Sequence, residues 1–163
     1  MKTTILAVLP FLTFSLLFGL DPREDYTPTS SASFGKILFN VDQLLTQFPD
    51  WQAMRVMGDS MEPLMGKNSV VLFQPVDLQN LQVGSVVVFR DSSGDNVVHQ
   101  VRDIQADGLV TKGYKNQNPD SDLLTEDRLL GKVVAVFNAK EIPEYTVYLR
   151  NGGVLQTAYG KRN

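Results

Sequence analysis

The chain contains no cysteine and a single histidine. Without cysteine there is no disulfide framework, no thiolate nucleophile and no cysteine-ligated zinc site. With one imidazole, a histidine-rich metal centre is impossible as well. Charge of one sign is also scarce: 15 basic residues stand against 18 acidic ones, a net charge of −3. The basic surplus that a phosphate-backbone partner demands is therefore missing, and no nucleic-acid partner is expected. No internal repeat is present. What remains is 163 residues, 43% hydrophobic and 20% charged, which is an ordinary globular composition with room for one domain and a tail or anchor.

One long apolar run breaks this ordinary pattern. Lys2 and two threonines precede Ile5 to Leu20, an uncharged stretch followed at once by Asp21, Arg23, Glu24 and Asp25. At ~1.5 Å per helical residue the run reaches about 24 Å, and the threonines bring it close to a ~30 Å hydrocarbon core. Residues 1–20 are read as a retained signal-anchor or a cleaved signal peptide. Asp21-Pro22 follows the run directly, and the first plausible small-residue cleavage site lies downstream near Ser30 to Ala32. That spacing favours retention. Under either reading the rest of the chain is exported, with Lys2 on the near side of the membrane. An N-terminal run uncharged on every face fits lipid better than a buried core helix.

Residues 21–38 begin as a polar stretch rich in Ser, Thr and Pro and are expected to be a linker. Val41, Leu44, Leu45, Phe48 and Trp51 then recur at spacings of three and four, which predicts a short amphipathic helix ending near Pro49. This helix either packs on the core or lies at a lipid interface with Trp51 at headgroup level. Beyond Arg55 the pattern turns strand-like. Ser69–Phe73, Ser85–Arg90, Asn96–Arg102, Leu109–Lys112 and Lys132–Phe137 are short and rich in β-branched residues. Turn signals separate them, and Ser93-Gly94-Asp95 is the best hairpin candidate. The expected main domain spans residues 39–140 and is mainly β, a compact domain of coiled or barrel-like sheet. Residues 141–163 form a C-terminal extension with a candidate last strand at Tyr145–Leu149.

Ser60 lies in Met57-Gly58-Asp59-Ser60-Met61-Glu62-Pro63. A serine hydroxyl is a poor nucleophile until a base takes its proton. The chain offers one histidine, His99, inside the strand-like run Val97-Val98-His99-Gln100-Val101. In isolation a Gly-Asp-Ser is a turn, and a strand histidine is a half-buried ring satisfied by a carbonyl. Four methionines, Met54, Met57, Met61 and Met65, surround the serine. They read either as core packing or as the wall of an apolar groove, Met61 being the groove candidate by its position beside Ser60.

Taken in order, GDSMEP, SVVVF, VVHQV, Thr111-Lys112-Gly113 with nearby asparagines, and LLGKVVAV resemble type I signal peptidases from about Met54 to Phe137. The form most similar is the Ser-His type of the endoplasmic reticulum and archaea. Gly-Asp-Ser-Met is also similar to the related LexA-type self-cleaving peptidases, which use a lysine base and lack a membrane segment. The resemblance implies a signal-peptidase/LexA-like coiled β-sheet domain behind an N-terminal hydrophobic helix. It implies Ser60 as nucleophile, His99 as general base and then acid, and Asp120 as the residue holding the imidazole, with Asp122 as the substitute. Lys112 is expected to be structural, since His99 occupies the place of the family's base.

Three positions depart from the family pattern: Gly58 replaces a serine that helps bind the oxyanion, Gln100 an arginine, and Tyr114 an acidic residue. Gly58 and Met61 are accordingly the substrate-binding candidates. The implied activity is a serine endopeptidase that cleaves signal peptides or other exported precursors at a membrane. Its partners would be precursor proteins with signal peptides and membrane lipid, and it would need no metal or organic cofactor. Two alternatives from other classes are a self-processing regulatory peptidase and an inactive binding or assembly protein.

Overall fold

A computed structural model of the chain describes residues 32–142 and the backbone of Gln156–Ala158. The apolar run at residues 1–20, most of the linker and the strand expected at Tyr145–Leu149 lie outside the described residues. Among the described residues, no helix is long and apolar enough to cross a membrane.

The described residues begin with a helix, α1, over Phe34–Gln47. Ser33 sits in extended backbone, and its hydroxyl accepts the Lys36 N–H at 3.4 Å, filling one of the donor positions a helix start leaves open. The helix thus begins inside the stretch expected to be linker, because Ser33 caps it and Phe34 and Ile37 already belong to its apolar stripe. Phe34, Ile37, Val41 and Leu45, at spacings of three and four, are all buried. They pack on Ala53, Val70, Leu72, Ala139 and Ile142. The helix stops where its periodicity ends: the Phe48 N–H donates to Leu44 O at 2.7 Å and Pro49 follows. Trp51, expected on the helical stripe, instead lies past the turn, its ring stacked on Phe48 at 4.2 Å.

Among the described residues seven strands follow in one sheet: β1 (Gln52–Val56), β2 (Ser69–Gln74), β3 (Val86–Arg90), β4 (Asn96–Gln105), β5 (Gly108–Lys112), β6 (Leu129–Asn138) and β7 (Gln156–Ala158). The first six pair antiparallel in the order β5-β4-β3-β6-β2-β1, and β7 adds in parallel beside β1. The mainly β expectation holds. β1 starts earlier than the sequence pattern suggested, since Gln52 is exposed and only Ala53, Met54 and Val56 carry a burial signal.

Alternation on the strands sorts the core. Met54, Val56, Val71, Phe73, Val88 and Val98 meet on one face together with Met61 and Met65. Val87, Phe89, Val97, Val101 and Leu109 meet Leu81 and Leu124 on another. In a flat sheet β1 and β4 would stand four strand spacings apart, about 19 Å. β7, one strand beyond β1, nevertheless comes within 8 Å, Cα to Cα, of β4, so the sheet curls on itself.

Three register shifts accompany the curl: Leu72/Phe73 on β2 against β6, Val88/Phe89 on β3 against β6, and Val101/Asp103 on β4 against β5. Each places an extra residue on one strand, and such bulges bend and twist it. At the β6 bend a Cβ on Gly131 would lie 2.3 Å from Gln74 O and 3.0 Å from Phe73 Cδ2. Only glycine lets these backbones approach so closely.

The β3–β4 hairpin forms at the expected Ser93-Gly94-Asp95. Asp91 Oδ1 accepts the Ser93 and Asp95 N–H groups at 2.8 and 3.0 Å, while Gly94 takes φ 85°. The pairing that results sets Val87 opposite His99 and Phe89 opposite Val97.

Two helix variants should separate the buried face from the exposed one. Ile37→Ala is expected to lower unfolding free energy by about 2–5 kcal/mol in urea titration, the usual range for truncating a buried Ile. Phe39, 52% exposed on the opposite side, should lose under about 1 kcal/mol when changed to alanine.

Candidate active site

His99 occupies β4 between Val97 and Val101, on the face that carries Phe89 and Leu124. Period-two alternation makes its ring a member of that buried layer, 1% exposed, with the Phe89 ring at its edge 6.1 Å away. An imidazole in such a layer must satisfy both nitrogens. Its Nε2 lies 3.1 Å from Ser60 Oγ and its Nδ1 2.7 Å from Asp120 Oδ2.

The direction of the proton follows from Asp120. Its Oδ2 also receives the Thr111 hydroxyl, at 2.6 Å, and a carboxylate is an acceptor only. Nδ1 is therefore the protonated nitrogen, and Nε2 presents its lone pair to Ser60. Thr111 is fully buried, and the Asp120 N–H donates to Thr111 O at 2.8 Å, so the two residues clasp each other through backbone and side chain alike.

Ser60 leaves β1 by only four residues, and the curl of the sheet carries that exit across to β4. The turn is anchored below by Met61 and Met65, both buried. It tightens through Glu62 N–H to Asp59 O at 3.0 Å and Met65 N–H to Met61 O at 3.3 Å. The segment after β5 closes over it. Lys115 donates its N–H to Ser60 O at 2.7 Å, and its Nζ reaches Glu62 Oε2 at 2.8 Å and Asp59 Oδ2 at 3.5 Å. Gly113 lies flat against the serine: a Cβ there would come within 2.9 Å of Ser60 Cβ, Ser60 O and Asn116 Nδ2.

The structure thus brings Ser60, His99 and Asp120 together. Asp122 is exposed; it lines, with His99, Asp120, Asp91 and Arg128, a small cleft of about 170 Å³ on the aspartate side. Lys112 pairs across strands with Gln100. Gly58 is half-buried just before the turn. Met61, 1% exposed, sits in the core, and its Sδ faces the Tyr114 N–H at 3.4 Å, which favours packing over groove lining.

Thr111 and Lys115 are two residues to which the sequence pattern assigns no role. Their partners, Asp120 and Ser60, are far enough along the chain that no local pattern links them. Among the described residues no group of three or more His, Asp or Glu is arranged to hold a metal ion.

No protein-family model matches the chain. Among curated proteins it is similar to signal peptidase I W of Bacillus subtilis (strain 168), 33% identical over 79 residues. The match covers 45% of this chain and 42% of that protein, so the chain spans less than half the length of the relative it matches. The similarity supports a signal-peptidase-like relationship.

The clasp around Asp120 and the contact at Gly113 can be tested apart from any activity. Thr111→Val removes one donor to a mostly buried carboxylate and should cost about 1–3 kcal/mol of stability. Gly113→Ala overpacks the Ser60 turn and should cost a similar ~1–3 kcal/mol. Both are read as midpoint shifts in denaturant unfolding at unchanged slope.

Proposed function

We propose that the protein is a serine endopeptidase of the signal-peptidase type, working with a Ser-His pair supported by an aspartate. The observation that carries this reading is the continuous contact from Ser60 Oγ to His99 Nε2 and from His99 Nδ1 to Asp120 Oδ2, at 3.1 and 2.7 Å. Such a chain joins a weak nucleophile to a base and the base to a group that fixes its tautomer. The similarity to a signal peptidase I supports the choice of peptide as substrate.

In this reading Ser60 Oγ attacks the scissile carbonyl as its proton passes to His99 Nε2. The positive imidazolium is stabilised by Asp120, which the Thr111 hydroxyl keeps in place. The oxyanion is received by backbone N–H groups, that of Ser60 included, since Gly58 brings no hydroxyl. His99 then gives its proton to the leaving amine. Water, deprotonated by the same nitrogen, releases the acyl chain and restores Ser60. The substrates are exported precursor proteins with signal peptides. The apolar run Ile5 to Leu20 holds the domain at the lipid surface on the extracytoplasmic side, either retained as an anchor or removed after export.

Cleavage of a model preprotein by the detergent-solubilised full chain tests the reading. Ser60→Ala and His99→Ala should each abolish cleavage, and Asp120→Asn should lower kcat by up to about 10⁴-fold through the wrong tautomer. Full activity in Ser60→Ala or His99→Ala would sink the dyad. Cleavage confined to the chain itself would favour a self-processing peptidase. Complete absence of both, with no Ser60 adduct from an acylating probe, would favour a binding or assembly role.

A further inference from the structure

Resting on that reading, we infer that the C-terminal strand β7 is an intramolecular competitor of the substrate, seated on the sheet edge that leads into Ser60. Three observations converge on this. β7 pairs in parallel with β1 through Met54↔Gln156, Arg55↔Thr157 and Val56↔Ala158, so its last pair lies four residues before the nucleophile. Its backbone also comes within 8 Å, Cα to Cα, of β4, the strand that carries His99. Ser60 and His99 are only 2% and 1% exposed, so an incoming peptide must seat closely against the strands that carry them.

An extended peptide that is to be cut must present its backbone alongside this dyad, and the nearest ladder positions are those of β1. A peptide adds to a sheet edge by main-chain hydrogen bonds, and an edge holds one strand at a time. β7 already holds it.

The energetics favour the tethered strand. A segment joined to its own site through residues 143–155 competes at an effective concentration that reaches millimolar for short linkers. A free precursor below that concentration competes at a disadvantage, since its apparent affinity is multiplied by the fraction of molecules whose edge is open. Occupancy of β1 by β7 thus sets a threshold: substrates with a weak ladder are refused, and those held close by a membrane anchor, whose own effective concentration is raised, displace β7.

The test uses the detergent-solubilised full chain carrying Ser60→Ala, so that binding is read without turnover. The probe is a dye-labelled heptapeptide copied from residues 154–160. A second form of the chain adds Gln156→Pro and Thr157→Pro, which removes the ladder N–H groups of β7. The peptide should bind the proline form about tenfold or more tightly than the parent. Equal affinity for the two forms, or binding to neither, overturns the inference.

Amide hydrogen exchange of the Ser60→Ala chain with native Gln156 and Thr157 provides a readout that needs no proline. Bound peptide should speed exchange at Gln156–Ala158, and continued protection there with peptide bound overturns the inference equally. Failure of the peptidase reading appears elsewhere, as an intact-Ser60 chain that leaves the preprotein uncut even with the proline pair.

Discussion

The curling of the sheet is the constraint on which the site depends. Ser60 follows β1 and His99 lies within β4, and a flat sheet would hold these strands about 19 Å apart. The three register shifts and the close backbone crossing at Gly131 close that distance. Met54, Val56, Met61, Met65, Val71, Phe73, Val88 and Val98 form one buried layer along these strands. The methionines beside the serine belong to this packing, and their flexible thioethers suit the irregular space between a strand exit and a curved sheet.

Once closed, the sheet is finished by the segment after β5, which performs two tasks with adjacent residues. At its start Gly113 and Lys115 press on and bond to the Ser60 turn. At its end Asp120 returns to Thr111 and takes His99 Nδ1. Nucleophile and base support are carried on one short loop, so a displacement that loosens Ser60 also loosens the imidazole.

Much of this was legible in the residues. The β-branched runs placed five of the strands close to their observed positions, and the Ser93-Gly94-Asp95 turn formed where its composition predicted. Helix α1 was visible from Val41 onward, but its start was hidden because Phe34 and Ile37 follow a Ser-rich stretch that reads as linker. β1 was obscured by Trp51, whose spacing continues the helical stripe although Pro49 has ended the helix. Ser60, His99 and Asp120 were singled out by order and flanking segments. Their contact was not legible, since it depends on three bulges that no period-two pattern reveals. Thr111 was seen only as part of a motif, and its tie to Asp120 arises from the return of the loop.

The Asp91 turn has a consequence for how the gene can vary. With one carboxylate oxygen gathering two backbone N–H groups across five residues, the hairpin has a fixed count. Adding or deleting one residue there would advance β4 by a half-period against β3. Val98 or Gln100 would then face the layer of Phe89 and Leu124, and the imidazole would be turned to the opposite side of the sheet. The turn acts as the phase lock of the strand behind it. Insertions that a surface hairpin elsewhere would absorb are excluded here.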